Sequence, residues 1–131
     1  MVMPNLYGSI VSNAVAGICG GPGFTSGANI GVNHVIFEQV KIRVFLHLLT
    51  LIKGTRHPGI DIAGKGVANP TAYILSSVLL LKHLNLHQFA TIIEAALDKT
   101  LKGGKAKTQD FGGHATTQQF TNEVIKNLEK V

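Results

Sequence analysis

The sequence is poor in the residue types on which several classes of protein depend. Its 131 residues include one cysteine, Cys19, two tyrosines and no tryptophan. A single cysteine excludes an intramolecular disulfide and favours a reducing compartment, where Cys19 serves as a small buried apolar residue. Aromatic residues are few and no basic stripe is present for them to interleave, which argues against nucleic acid as the main partner.

Acidic residues are scarce as well. Seven Asp and Glu stand against twelve Lys and Arg, which gives a formal net charge of +5. No two acids lie close together on a loop or at a helix start, as acid-base catalysis or Mg²⁺ binding would require. Among the six histidines the close pair His83 and His87 is separated by a helix break at Asn85, so we predict no zinc site. The residue types alone therefore predict no catalytic residues.

Long apolar runs and targeting signals are also missing. No stretch reaches the roughly 18 consecutive apolar residues that a membrane span needs. The first residues, Met-Val-Met-Pro, form neither a signal peptide nor an Arg-rich transit peptide. We therefore expect no membrane span. Because the chain starts in the middle of an element, we also expect it to be truncated, with any organellar address on sequence not present here.

The chain does contain enough apolar material for one domain. Hydrophobic residues make up 45% of it, 15% are charged, and the mean hydropathy is +0.25. This composition excludes a disordered chain and predicts one that can bury a core, and that needs partner surface if the chain is incomplete.

The most distinctive stretch is the glycine loop, residues 54–69, which runs directly into a helix start. Four of its first thirteen residues are glycine, so the backbone can approach a ligand closely. The step from Asn69 through Pro70 to Thr71 then opens a helix whose free amide groups point back at the loop. The pattern suggests a nucleotide-binding loop, although a plain connection between two elements has the same signature.

The order of the predicted elements indicates an α/β fold in which helices dominate and strands are too few to close a sheet. Apolar spacing and capping signals predict helices over residues 9–18, 70–84, 85–103 and 116–128. The second of these is apolar on nearly every side, so we expect it to be buried all round, in a domain core that continues into a subunit interface. Capping boxes are predicted at Asn85 with Gln88 and at Thr116 with Gln119.

The remaining segments are predicted as strands or loops. Residues 34–38 are typical of a short buried strand, and residues 1–7 of the tail of a strand that turns at residues 5–8. Residues 24–33 are expected to form a polar loop, and residues 105–114 a loop or a short edge strand.

Several motifs stand in a fixed order along the chain. They are residues 3–13 (Met-Pro-Asn-Leu-Tyr-Gly-Ser-Ile-Val-Ser-Asn), Ala16-Gly17, Gly20-Gly21-Pro22-Gly23, Phe37-Glu38, the glycine loop with Ala68-Asn69-Pro70-Thr71-Ala72, and Asp110-Phe111-Gly112-Gly113 with Thr116-Thr117. The same order occurs in the isocitrate/isopropylmalate dehydrogenase family. The chain resembles the C-terminal part of the mitochondrial NAD-dependent isocitrate dehydrogenase subunits over everything except residues 40–53. The resemblance implies an incomplete isopropylmalate-dehydrogenase-like fold across residues 1–131.

The resemblance also implies a reaction for which this chain has only some of the necessary residues. The family uses NAD⁺ with Mg²⁺ or Mn²⁺ to convert isocitrate to 2-oxoglutarate and CO₂, here in the mitochondrial matrix. Catalytic members carry Asp where this chain has Ser9 and Asn13, four residues apart on one helical face. Their replacement removes two negative charges from the metal site, although a plain polar helix surface would show the same residues. The family's upstream substrate-binding Arg, Tyr and Lys are absent, so no catalytic residue is predicted.

The nucleotide loop departs from catalytic members too, which have His-Gly-Thr-Ala-Pro where this chain reads Gly-Thr-Arg-His-Pro at residues 54–58. Together with Ser9 and Asn13, this resembles the regulatory, β-type subunit, which binds AMP or ADP and isocitrate and partners catalytic subunits in a hetero-oligomer. By the same resemblance Ser9 and Asn13 mark the residual position for isocitrate and the metal. By resemblance, Arg56 contacts phosphate, to which its planar guanidinium is suited, while Asp61 and Ile62 contact ribose and adenine. The predicted nucleotide-binding residues are Gly54, Thr55, Arg56, His57, Asp61, Ile62 and, at the helix start, Asn69.

Residues 40–53 do not fit the resemblance. In the family the strand that ends in Phe-Glu is followed within a residue or two by the glycine loop, and deleting these 14 residues would join Gln39 directly to Gly54. The 14 codons keep the reading frame and permit a GTAAA start and an AAG end, which suggests a retained intron. A genuine hairpin insertion is the alternative. If translated, this apolar insert would displace the glycine loop and would promote aggregation.

Two alternatives to a regulatory subunit remain for the function of the chain. One is a catalytic subunit with altered metal ligands, and the other is an inactive truncated or misspliced product.

Overall fold

The computed structural model describes residues 2–19, 24, 26–39 and 60–129. Residues 40–53 and the first six residues of the glycine loop, 54–59, lie outside this description. The described elements, in chain order, are helix α1 (Asn5–Cys19), strands β1 (Ser26–Ile30) and β2 (Val35–Gln39), and helices α2 (Thr71–His83), α3 (His87–Gly103) and α4 (Thr117–Leu128). None of these helices combines the length and apolar character that a membrane span requires.

Helix α1 begins four residues earlier than predicted. The expected strand tail and turn are wrong, because residues 5–8 already belong to the helix, and the Gly8 amide donates to the Pro4 carbonyl at 2.8 Å. Its apolar side chains Ile10, Val15 and Ile18 are exposed. The apolar spacing therefore predicts the helix correctly, but nothing in the described part of the chain buries that face.

Strands β1 and β2 form an antiparallel hairpin. Ala28 pairs with Phe37 and Ile30 with Val35, and the turn is closed by the Gly31 amide donating to the His34 carbonyl at 2.8 Å. The second strand confirms the prediction for residues 34–38 to within one residue, but it is only partly buried. The predicted loop at residues 24–33 is wrong, because β1 (Ser-Gly-Ala-Asn-Ile) lacks apolar alternation and is held by its partner strand.

Helices α2 and α3 pack against each other, and α2 also packs against the hairpin, where Phe37 contacts the ring of His83. Within the described part of this chain the side of α2 opposite these contacts is open, and Tyr73 is 72% exposed, so the burial of that side at a subunit interface stays a prediction. The predicted capping box at Asn85 is wrong. Asn85 adopts the left-handed conformation (φ 61°) in the turn, and Leu86 takes the N-cap position without a side-chain bond.

The core lies between α3 and α4. It consists of Ala96, Leu97, Phe120 and Val124, with Ile74, Leu75, Leu101, Ala106 and Leu128 packed around them. Helix α4 begins at the predicted capping box, since Thr116 accepts from the Gln119 amide and the Gln119 side chain accepts from the Thr116 amide. Helix α3 ends as predicted, with Gly104 in the left-handed conformation.

One buried polar bridge joins the two core helices. Thr100 donates to the carbonyl of Ala96 in its own helix at 2.8 Å and accepts from the side-chain amide of Asn127 at 2.9 Å. Both Thr100 and Asn127 are buried, so the amide has no access to solvent if the threonine hydroxyl is removed.

This bridge gives a first prediction. Thr100→Val keeps the shape of the side chain but orphans the Asn127 amide, so we expect a loss of about 1–3 kcal/mol in the free energy of unfolding, measured by urea denaturation. Adding Asn127→Leu removes the orphaned group and should recover most of that loss. A double variant less stable than the single Thr100→Val variant would contradict this account of the bridge.

Candidate nucleotide site

The described part of the glycine loop, residues 60–69, is fastened to the start of α4. The Thr117 amide donates to the Gly66 carbonyl at 2.7 Å, and the Thr117 hydroxyl donates to the Ala68 carbonyl. Gly66 has a φ of 64°, which glycine adopts without strain and which turns its carbonyl towards α4. Hydrogen bonds from Thr117, at the start of α4, therefore fix the path of the loop into α2.

A second tie joins the loop to the C-terminal loop, defined here as residues 104–116. The side-chain nitrogen of Asn69 donates to Asp110 at 2.9 Å, across 41 residues of sequence. The side-chain oxygen of Asn69 accepts from the Thr71 amide at 3.0 Å. Asn69 thus supplies a hydrogen bond at the start of α2, where the side chain of the N-cap residue Pro70 makes no capping hydrogen bond.

Asp110 is itself held from both sides. It lies on a short 3₁₀ turn, Gln109–Phe111, and its second carboxylate oxygen accepts from the hydroxyl of Thr108, a residue with no exposed surface. The Thr108 carbonyl accepts from the amides of Phe111 and Gly113, both at 3.0 Å. The C-terminal loop therefore presents Asp110 to Asn69 in a defined position.

The other predicted contacts are distributed over several elements. Asp61 and Ile62 lie exposed on a 3₁₀ turn, Ile60–Ile62, which the Lys65 amide closes by donating to the Ile62 carbonyl at 3.1 Å. Ser9 lies on α1 and donates to the Asn5 carbonyl of its own helix at 2.8 Å. The side chain of Asn13 and four predicted residues, Gly54, Thr55, Arg56 and His57, lie outside the described part of the chain.

The chemistry of the described residues suits the parts of a nucleotide that resemblance assigns to them. Ile62 is 42% exposed and offers an apolar surface against which a base can lie. The exposed Asp61 carboxylate can accept hydrogen bonds from ribose hydroxyls. The Asn69 side chain forms two hydrogen bonds with other described residues, and an amide can form up to four.

An open cleft of about 600 Å³ adjoins the same region, but none of the predicted nucleotide residues lines it. It lies between the C-terminal loop and α4, with Lys105, Lys107 and His114 on one side and Glu123 among its lining residues. Within the described residues, no group of three or more His, Cys, Asp or Glu side chains comes together as a metal site would require.

Sequence reasoning missed Asp110, Thr108 and Thr117. The motif Asp110-Phe111-Gly112-Gly113 was available as part of the resemblance, but it carried no assigned role. The signal that could have located it is the pairing of an acid with two glycines just before a capping box, which is typical of a loop with a fixed shape.

Comparison with known proteins finds relatives over nearly the whole chain. Residues 1–125 match the family described as Isocitrate/isopropylmalate dehydrogenase. Isocitrate dehydrogenase (NAD) subunit 1, mitochondrial, from Saccharomyces cerevisiae is 44% identical over 98% of this chain and 32% of its own length. A mitochondrial regulatory subunit of isocitrate dehydrogenase (NAD) from Dictyostelium discoideum is 46% identical over 99% of this chain and 32% of its own length.

The fold agrees with this assignment. The crystal structure of isocitrate dehydrogenase from Methylococcus capsulatus superposes with a TM-score of 0.75 at 34% identity, covering 95% of this chain and 33% of that one. The chain spans about a third of the length of the curated relatives it matches. The predicted helix-dominated α/β fold, as part of a larger one, is confirmed. The chain belongs to the isocitrate/isopropylmalate dehydrogenase family.

Proposed function

We propose that this chain is part of a regulatory subunit of a mitochondrial NAD-dependent isocitrate dehydrogenase and binds an adenine nucleotide of the AMP or ADP type. Two relatives, at 44% and 46% identity, are named as subunits of such an enzyme, and the second is named as a regulatory one, which supports the assignment. In this proposal the complex converts isocitrate to 2-oxoglutarate with NAD⁺ in the mitochondrial matrix. Catalytic subunits supply the metal and the turnover, and this subunit senses nucleotide.

The observation that carries the proposal is the composition of α1. The helix runs without interruption from Asn5 to Cys19, so positions 9 and 13 lie one turn apart on one face. The residues there are Ser and Asn, which are neutral, and the Ser9 hydroxyl already donates within its own helix. Mg²⁺ and Mn²⁺ prefer charged oxygen ligands, so this face does not fit the metal.

The helix therefore provides a direct test with Mn²⁺ as the probe. We expect the double variant Ser9→Asp, Asn13→Asp to bind Mn²⁺ at least about tenfold more tightly than the unmodified chain, because it restores two carboxylates on one face. Titration followed by electron paramagnetic resonance measures free Mn²⁺ directly. The matched control, Ala14→Asp with Ile18→Asp, places the same pair of carboxylates one turn apart on another face of α1, where both residues are exposed.

The possible outcomes distinguish the proposed regulatory subunit from the alternative, a catalytic subunit with altered metal ligands. An equal gain in the control pair would mean that positions 9 and 13 hold no remnant of a metal site. Tight Mn²⁺ binding by the unmodified chain, together with NADH formation from isocitrate, would favour a catalytic subunit with altered ligands.

A further inference from the structure

Thr117, the first residue of α4, holds the described part of the glycine loop in place. Its amide donates to the Gly66 carbonyl at 2.7 Å, and its hydroxyl donates to the Ala68 carbonyl. Among the described residues, these two hydrogen bonds are the ones that tie residues 60–68 to another element. Residues 61–66 are exposed, so burial does not hold them. The position of this segment therefore depends on Thr117.

The glycine loop in turn completes the cap of α4. The first four amides of a helix have no partner inside it. In α4 the Thr116 hydroxyl accepts from one of these amides, that of Gln119. The Gly66 carbonyl of the glycine loop accepts from another, that of Thr117. Because Phe120 of the same helical turn lies in the core, the loop and the core share one helix start.

The two acceptor carbonyls lie between the residues that are proposed to contact the nucleotide. Asp61 and Ile62 precede them in the chain, and Asn69 follows. Gly64 and Gly66, with φ values of 76° and 64°, stand in between. Glycine has the widest backbone freedom of any residue, so this segment has many conformations to lose when it is ordered. Holding the two carbonyls therefore limits where Asp61 and Ile62 lie relative to Asn69.

We propose that Thr117 is a positioning residue of the nucleotide site, which couples binding at the glycine loop to the start of α4. This inference rests on the proposed nucleotide-binding function. A loop that binds in only one of its conformations has an affinity reduced by the fraction of time that it spends there. The two bonds from Thr117 raise that fraction, and by reciprocity a bound nucleotide strengthens both bonds.

The first test measures the affinity of the full chain for AMP by calorimetric titration. Thr117→Val removes the hydroxyl bond to the loop and should weaken AMP binding about fivefold, the effect of one neutral hydrogen bond. Thr117→Ser keeps both bonds and should bind AMP as tightly as the unmodified chain. The matched control is Thr121→Val, one turn later on α4, where the hydroxyl donates to the Thr117 carbonyl at 2.9 Å and not to the loop. It should leave the affinity for AMP unchanged.

Thr117→Pro detaches the loop more completely. Proline suits the first position of a helix, and Thr116 already has the extended backbone that precedes a proline (φ −77°, ψ 161°), so α4 should persist. The ring removes both donors, and its Cδ would meet the Gly66 carbonyl oxygen, which lies 2.7 Å from the nitrogen. We expect AMP binding to weaken at least about tenfold, with the helical circular dichroism signal unchanged.

Hydrogen exchange followed by nuclear magnetic resonance gives a readout that a merely structural role would not move. Saturation of the unmodified chain with AMP should slow exchange of the Thr117 amide at least about tenfold, because the amide is bonded to the loop that the nucleotide orders. The Ala90 amide, which donates to the Leu86 carbonyl at the start of α3, should exchange at the same rate with and without AMP.

The outcomes separate this inference from the proposed function. Unchanged AMP affinity in Thr117→Val and Thr117→Pro overturns the inference and leaves nucleotide binding intact. Equal weakening by Thr121→Val also overturns it, because the effect would then be one of helix stability. If Thr117→Pro fails to fold, the comparison of Thr117→Val with Thr117→Ser decides the question. An unmodified chain that binds no AMP overturns both the inference and the proposed function.

Discussion

Replacing Phe120 by alanine should lower the free energy of unfolding by about 3–5 kcal/mol, more than any other single truncation in the described core. Phe120 is 1% exposed and is the largest fully buried side chain of the described residues. It packs with Ala96, Leu97 and Val124 where α3 meets α4. Two of these neighbours are small or β-branched and cannot fill the space it leaves, so a cavity is added to the lost burial.

The matched control is Phe89→Ala. Phe89 lies on α3 and is 59% exposed, so the same truncation should cost less than about 1 kcal/mol. Urea denaturation followed by circular dichroism measures both variants. Equal losses for the two phenylalanines would show that the α3–α4 contact is not the core of the chain in solution.

Replacing Gly113 by alanine is expected to have the second largest effect, a loss of up to about 3 kcal/mol. A Cβ atom at this position would overlap the backbone carbonyl of Lys107. That carbonyl cannot simply rotate away, because it accepts from the Ala115 amide at 2.8 Å. The C-terminal loop must therefore open, and the hydrogen bond that the Gly113 amide donates to the Thr108 carbonyl is broken with it.

Gly103→Ala is the opposing control. Gly103 is the last residue of α3, and a Cβ atom there meets no atom within 4 Å. Alanine should leave stability unchanged or raise it by up to about 1 kcal/mol, because it restricts the unfolded chain and favours the helix. Thermal melting of both variants checks the pair. A Gly113→Ala variant as stable as Gly103→Ala would mean that the C-terminal loop has a different shape in solution.

The helices were predictable because their signals are local. Thr116 and Gln119, three residues apart, specify the start of α4, and Gly104 specifies the end of α3. Strand β1 was not predictable, since Gly27 and Asn29 disfavour strand structure by themselves and are held there by pairing with β2. Asn85 was misassigned because its side chain is equally suited to an N-cap and to a left-handed turn.

The same distinction between local signals and tertiary contacts applies to the candidate site. Sequence motifs placed Asn69 at the start of α2, and the structure has it bonded to the Thr71 amide. Its bond to Asp110 spans 41 residues and depends on how the C-terminal loop folds back, which no local pattern contains. The docking of Thr117 on Gly66 is likewise a product of tertiary packing. The roles of Arg56 and His57 stay predictions, because residues 54–59 lie outside the described part of the chain.

The central claim is that this chain binds an adenine nucleotide without turning over a cofactor. Its most direct test is a calorimetric titration of the full chain with AMP, in buffer containing isocitrate and Mg²⁺ but no NAD⁺. The account predicts saturable binding of one AMP per chain, weakened about tenfold or more by Asp61→Ala, which removes the predicted ribose contact. The absence of saturable AMP binding to the unmodified, folded chain would contradict it.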